Sequence, residues 1–385
     1  MKVVKNDLKK ILSKLKVCVG KNVGSPLAFQ NKEGKMKITA TDNENVVVFQ
    51  GSGDLTEDME LVLDYKSFLN ICKLRGKELV FIKEDNKFTV KDDNTELVFA
   101  VDSIDTFNFS KNEIEGEYLE LNTKDFQKLI DHGSFVREEN GYKKFMSGVE
   151  ITVKDKKITA LSTDGKRLAK SVLDIDSDFE FKCVFSNKCI EAIKTFETEK
   201  TRMRLNDKMV NFNIEGYDFY LKMLDCEFPD TSKFFTLEET HQYEVNRNEM
   251  IESISMFDSV DGDVVNIECK ENKIIVSSSD VKSGVTDTIN SEKKCGEDFS
   301  FKINKKLFAD IFKNLENEKI VIKYTNNNAP IGYFDNDKSN GVIMPIKTAW
   351  HIKLKVVLKH HFFVEYKFYF FLYIKYRRNL CSNSF

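Results

Sequence analysis

The chain carries none of the short runs that mark common catalytic sites. No GxxxxGK[ST], HExxH or GxSxG occurs in its 385 residues, so a phosphate-cradling loop, a helical zinc site and a strained nucleophile turn are all missing. Histidine is scarce, and three of the five lie beyond residue 348. The eight cysteines (Cys18, Cys72, Cys183, Cys189, Cys226, Cys269, Cys295 and Cys381) show no CxxC and no paired spacing, which excludes a zinc ribbon and a disulfide framework and fits a reducing compartment. The acidic run Asp258, Asp261, Asp263 lacks the alternating spacing of a calcium loop and reads as an ordinary loop. No 18-residue uninterrupted apolar stretch exists, and MKVVKNDLKK has no signal-peptide core. The expectation is a soluble cytoplasmic protein with no cofactor, no metal and no catalytic residue.

What is present is length, charge and repetition. A chain of this size implies two or three domains. Its net charge of −3 hides a division: residues 1–348 hold 52 Lys and Arg against 61 Asp and Glu, while 349–385 hold 7 against 1.

The stretch Lys157–Lys170, KITALSTDGKRLAK, reads as a strand, a polar Thr163-Asp164-Gly165 turn and a returning strand through Leu168 and Val172. By itself it is an ordinary hairpin. The same turn recurs as Thr41-Asp42 in MKITATD and Ser279-Asp280 in IIVSSSD. Helix starts recur faster, after Asp64, Asn122, Ser186, Asn246 and Asn304, following a first helix that begins near Leu8. Anchoring each helix on one early apolar residue (Leu8, Phe68, Phe126, Ile190, Met250, Phe308) gives separations of 60, 58, 64, 60 and 58 residues. The chain is therefore six copies of a helix-plus-strands unit, paired into three α+β domains at 1–116, 117–240 and 241–348, with 349–385 as a basic, aromatic extension.

Lys66, Lys124, Lys188 and Lys306 each stand two residues before an anchor, and Lys5 and Arg247 three before theirs. Lysine is a good helix former and solvated faces are often basic, yet six in register on an acidic chain suggest a polyanion meeting those helices.

Three motifs carry a resemblance to a known family. Ser162-Thr163-Asp164-Gly165-Lys166-Arg167-Leu168-Ala169, Glu227-Phe228-Pro229-Asp230 and Val342-Ile343-Met344-Pro345-Ile346-Lys347 stand in the order and spacing of the bacterial β sliding clamps, the processivity subunits of replicative DNA polymerases. The chain resembles that family over about nine tenths of its length. The resemblance implies the DNA clamp fold, a head-to-tail homodimeric ring around duplex DNA, sequence-independent DNA binding and no catalysis. It also implies a pocket that takes a short, partly apolar peptide motif from polymerases, the clamp loader and repair factors. By position the pocket comprises Met146, Thr163, Gly165, Lys166, Arg167, Leu168, Pro229, Phe234, Val342, Ile343, Met344, Pro345 and Ile346, with Arg167 fixing the peptide's direction. DNA contacts fall on Lys21, Lys73, Lys143, Lys144 and Lys188, and the dimer interface on Phe99, Val101, Met256 and Phe257. Core packing is the alternative for Leu168, Met344, Met256 and Phe257. Lys144 stands where the family has an aromatic.

Two readings compete with a working clamp: a diverged clamp with impaired partner binding, and a DNA-processing enzyme on a repeated scaffold. The family ends one residue past its last motif, at the position of Thr348, whereas this chain runs on with eleven aromatics and its only Trp. That extension is too short and too charged for a membrane span, and its composition suits a read-through or frame-shifted end; an interfacial segment or a nucleic-acid arm are the alternatives.

Overall fold

Six times the chain runs strand, helix, then three strands, as the spacing of the anchors predicts. The structure is a computed structural model, and it describes residues 1–346 except 20–24, 54–56, 108–113, 237–240, 260, 280–282 and 327–328. Residues 1–347 form one unit of the fold; 348–385 form a second and lie outside the described residues.

The first unit comprises β1 (Lys2–Val4), α1 (Lys5–Leu15), β2 (Pro26–Lys32), β3 (Lys35–Thr41) and β4 (Val46–Ser52). The second has β5 (Met59–Asp64), α2 (Tyr65–Ile71), β6 (Glu78–Glu84), β7 (Lys87–Lys91) and β8 (Glu96–Ala100). The third has β9 (Leu119–Asn122), α3 (Thr123–Ser134), β10 (Val149–Lys154), β11 (Lys157–Thr163) and β12 (Arg167–Asp174). In the fourth are β13 (Phe181–Phe185), α4 (Asn187–Lys194), β14 (Lys200–Leu205), β15 (Met209–Ile214) and β16 (Tyr217–Lys222). The fifth runs β17 (His241–Asn246), α5 (Arg247–Met256), β18 (Val264–Lys270), β19 (Lys273–Ser279) and β20 (Gly284–Cys295). The sixth runs β21 (Phe299–Asn304), α6 (Lys305–Lys313), β22 (Lys319–Tyr324), β23 (Ile331–Phe334) and β24 (Ser339–Ile343).

Units associate in twos by exchanging their first strands. β1 pairs with β6 and β5 with β2; β9 and β13 pair with β14 and β10; β17 and β21 pair with β22 and β18. A single unit would leave a sheet without its edge and a helix without its floor, so two units are the smallest piece that closes. One apolar core runs through the first four units, from Leu8 and Phe29 to Phe212 and Phe219, and a separate one fills the last two, around Tyr243, Phe257 and Phe308.

The anticipated N-caps hold. Asp64, Asn122, Asn246 and Asn304 each accept a backbone N–H from the first turn of the following helix, satisfying donors the helix cannot pair itself. Ser186 stands at the cap position of α4, but its hydroxyl goes to Lys222 O instead.

The helix cations divide into two groups. Lys5 Nζ donates to Leu74 O and Arg75 O just past α2, and Arg247 Nε and Nη2 donate to Phe312 O and Lys313 O at the end of α6. Each therefore sits on the negative end of its partner helix, closing the helix pair. Lys14 reaches Thr195 O and Glu197, and Lys305 is buried against Phe257 O. These four are internal ties, not cations displayed to a polyanion. Lys66 and Lys124 remain exposed, and exposed Lys306 bonds Asp263.

Two seams join the unit pairs into longer sheets. At the first, β4 lies antiparallel to β16, and at the second β12 lies antiparallel to β24. The result is an 8-stranded and a 12-stranded sheet, with β1-β6-β7-β8 as a separate 4-stranded one.

Candidate functional site

The second seam brings together the motifs at 162–169 and 342–346. β12 and β24 pair Leu168 with Val342 and Arg167 with Ile343, and because strand side chains alternate, the two pairs point to opposite faces. Leu168 and Val342 form a small apolar cluster with Leu161, Val184 and Phe228. Phe145, Leu224, Cys226, Phe234 and Phe235 pack on it half-buried, and Gly165, Lys166, Pro229, Met344 and Ile346 are exposed around it. This is a groove with a buried apolar floor and an accessible rim. Pro345 is half-buried beside it.

The turn that opens β12 is built by its own side chains. Thr163 Oγ1 donates to Arg167 O at 2.7 Å and accepts from Gly165 N at 3.0 Å. Asp164 Oδ1 accepts Lys166 N at 2.8 Å and Arg167 N at 2.6 Å. Gly165 takes φ +80°, and a β-carbon there would stand 2.7 Å from Met146 Cε, so both backbone and space call for glycine. Met146 is fully buried under that turn. From the other strand, Met344 N donates to Lys166 O, and Tyr333 OH donates to Leu168 O at 2.8 Å across the space over Gly341. Burial raises the Tyr333 phenol's pKa, outweighing the opposite pull of Arg167, so it stays a donor.

Arg167 and Ile343 lie on the other face of the seam from Leu168 and Val342. Arg167, 7% exposed, turns to the helix side: Nε donates to Asp164 Oδ2 at 2.8 Å, and Nη1 to Asp310 Oδ2 at 2.6 Å and Leu307 O at 3.2 Å on α6. Burial alone would lower its pKa; the Asp310 and Asp164 carboxylates outweigh that and raise it. Arg167 thus bolts the seam to α6. Ile343 belongs to the core of the last two units.

The anticipated nucleic-acid contacts fare unevenly. Lys21 lies outside the described residues. Lys73 is exposed, and its Nζ donates to the neighbouring Asn70 side chain at 2.9 Å. Lys143 is exposed beside the rings of Tyr142 and Phe145, and Lys144 donates to Asp225 O. Lys188 is half-buried, 2.5 Å from Asp42 Oδ2 and 2.9 Å from Val17 O, a tie across the first seam. A signal missed in the sequence is Arg137, which with Lys194, Arg247 and Lys313 surrounds a cavity of about 620 Å³ between α3, α4, α5 and α6. Asp131, Asp310 and Glu316 line it too. Tyr142 is 80% exposed at the groove rim, its hydroxyl 3.9 Å from where a Gly165 β-carbon would stand.

Of the interface residues, Phe257 and Val101 are buried in the chain's own cores, because helix and strand ends turn them inward. Phe99 is half-buried and Met256 is 49% exposed. Among the described residues no group of three or more His, Cys, Asp or Glu is arranged to hold a metal, and no helix is long and apolar enough to cross a membrane.

Known proteins match this arrangement. The family model for the DNA polymerase III beta subunit central domain matches residues 120–230, and that for the beta subunit N-terminal domain matches 245–345, together more than half the chain. The chain belongs to the DNA polymerase III beta subunit family. An N-terminal-domain model falling on the fifth and sixth units is what repeats of one fold produce. The beta sliding clamp of Mycoplasma capricolum is 23% identical over 297 residues, 72% of this chain and 77% of that protein. Solved structures of the beta subunit from Thermotoga maritima (20% identity, TM-score 0.83) and the sliding clamp from Bacillus subtilis (18%, 0.84) each cover 90% of this chain and 99% of their own. The fold is the DNA clamp fold.

Proposed function

We propose that this chain is a non-catalytic sliding clamp. Three domains, 1–116, 117–240 and 241–348, form half of a ring that encircles duplex DNA without reading its sequence and tethers a replicative polymerase, the clamp loader and repair factors through their clamp-binding peptides. One observation carries the reading. Both seams join the last strand of a first unit (β4, β12) to the last strand of a later second unit (β16, β24), and continuing the rule leaves β20 and β8 to be joined. β8 ends its sheet, and Gly284–Asn290 of β20 is paired only with β19 among the described residues. These strands lie at opposite ends of the repeat, so their pairing needs two copies, head to tail, and closes a ring that covers both of them. Val98 on β8 is exposed, with Phe99 half-buried beside it, giving that edge apolar surface to cover.

Exposed Lys66, Lys73, Lys124 and Lys143 supply phosphate attraction without base contacts, the balance a sliding protein needs. The rim of Met344, Ile346, Pro229 and Phe234 over Leu168 and Val342 suits a short apolar peptide. The test is topological. The protein is loaded by a compatible clamp loader onto nicked circular plasmid, which is then linearised and passed through gel filtration at moderate salt. Retention on circles and loss on linear DNA is expected; equal retention on both would mean side-on binding and defeat the proposal.

A further inference from the structure

The turns at the two seams are built alike, hydrogen bond for hydrogen bond. At the first, Thr41 Oγ1 donates to Asn45 O at 2.9 Å and accepts Asn43 N at 3.0 Å, while Asp42 Oδ1 accepts Glu44 N and Asn45 N at 3.1 and 2.7 Å. Asn43 takes φ +75°, as Gly165 takes +80° in the other turn. Four residues past each Asp the register repeats too, for Val46 faces Tyr220 where Leu168 faces Val342. Val46 and Tyr220 sit in an apolar cluster with Val48 and Met209, apart from the main core, just as Leu168 and Val342 sit in theirs.

The difference lies in what covers each cluster. Over the second seam the covering rings of Phe145, Phe234 and Phe235 are half-buried, and the rim is open. Among the described residues the first-seam cluster has no half-buried apolar fringe: its fifth member is Ile114, 2% exposed, brought in by the linker between β8 and β9. The rim position of exposed Met344 is held here by Lys222, whose Nζ lies 2.5 Å from Glu44 Oε1, and Glu44 stands where Lys166 does. Ile114 thus covers the apolar surface of this seam from the connecting loop, where the second seam leaves the corresponding surface open.

We propose that the first seam is a second peptide site of the same kind as the groove at the second, permanently occupied by the chain's own Ile114 and sealed by the Glu44–Lys222 pair. The linker acts as an internal ligand, and the chain keeps one open site instead of two. A short peptide with adjacent aliphatic and aromatic side chains is the external ligand that would replace it. The inference rests on the reading of the second-seam groove as a peptide site, and the experiment separates the two.

A fluorescein-labelled peptide ending in Leu-Phe is titrated by anisotropy and calorimetry into the full chain as wild type, Ile114→Ala, and Ile114→Ala with Lys222→Met. Each is also made with Leu168→Asp to disable the groove. The expected result is one peptide per chain for wild type, two for the variants lacking the plug, and one for those variants when Leu168→Asp is added. Groove binding unchanged from wild type verifies that a variant is folded. If the unplugged variants keep that binding yet still take one peptide, the proposal is overturned. Should wild type bind none while Ile114→Ala binds one, indifferent to Leu168→Asp, the groove reading fails and this one stands. Binding by neither sinks both.

Discussion

Replacing Arg167 with Ala should destabilise the second seam by about 3 kcal/mol. The guanidinium is almost wholly buried and holds two carboxylates, Asp164 at 2.8 Å and Asp310 at 2.6 Å. Removing one member of a buried ion pair typically costs about 3–5 kcal/mol because the other is left charged and unsolvated. Asp164 is the group so stranded, although Lys166 N and residue 167's own N–H still bond it. Asp310 is 43% exposed, so water takes over its side of the pair and that portion shrinks to about 0.5–1 kcal/mol. The lower end of the range follows. Asp310→Ala alone should then cost about 1 kcal/mol, and the double-mutant cycle with Arg167→Ala should return a coupling of that size. Urea unfolding followed by far-UV circular dichroism measures all four corners. A cost below about 1 kcal/mol for Arg167→Ala, or a coupling near zero, would refute the bolt. Peptide affinity offers a second check: if Arg167 positions the seam through its fork to Asp164 and Asp310, a Lys variant cannot span both and should lose stability and affinity together.

Three further outcomes follow from the geometry. Gly341→Ala would put a β-carbon 2.2 Å from both Leu168 O and Tyr333 OH, so it must part β24 from β12 and break the Tyr333 bond; a loss of about 3 kcal/mol in urea and at least tenfold weaker peptide binding are expected. At Asp42, burial alone would raise the pKa, but Lys188 and the backbone of Asn45 outweigh it and the value is lowered. A depressed carboxylate lends stability above the unfolded value of about 4 and loses it as pH falls through the lower folded value, so the gap between wild type and Asp42→Asn should be full at neutral pH and close below about pH 4; a constant gap would exclude the Lys188 tie as its source. Combined Lys66→Glu and Lys124→Glu should shorten retention on circular DNA and flatten its salt dependence without shifting the urea midpoint, since both side chains are exposed.

The repeat was legible because it rests on local chemistry. Asp and Asn caps, a 3.6-residue apolar period and a Thr-Asp turn are each contained within a few residues, and the six anchors fall in six helices. The groove was legible as a set of motifs but not as a surface. Arg167 and Leu168 are neighbours that point apart, and only the β12–β24 register says that Leu168 lines the groove while Arg167 faces α6. The helix cations misled for a related reason. Lys5, Lys14 and Lys188 look alike in sequence to Lys66 and Lys124, yet their partners are carbonyls 69 to 181 positions away, which no periodicity reveals. Phe257 follows Met256 at the end of α5, where one step decides core against solvent. Ile114 carried no signal at all, being one aliphatic residue in an irregular linker.

The seams also show what the repetition preserves. In both turns an Asp is half-buried by the strand pairing, and a carboxylate so desolvated must be answered. At the first seam the answer comes from α4 as Lys188, and at the second from within the turn as Arg167, which then needs Asp310 of α6 to balance it. The place of the charge is common to both, whereas its partner is not. In each case the ion pairing reaches the second helix of the later unit pair, directly through Lys188 of α4 and by way of Arg167 to Asp310 of α6, so each seam is held on two sides, by strand hydrogen bonds along the sheet and by an ion pair to the helix beneath. A sheet joint alone is a hinge; a joint bolted to a helix off its axis resists bending. That rigidity is what an arc must have if its two free strands are to meet those of a second copy.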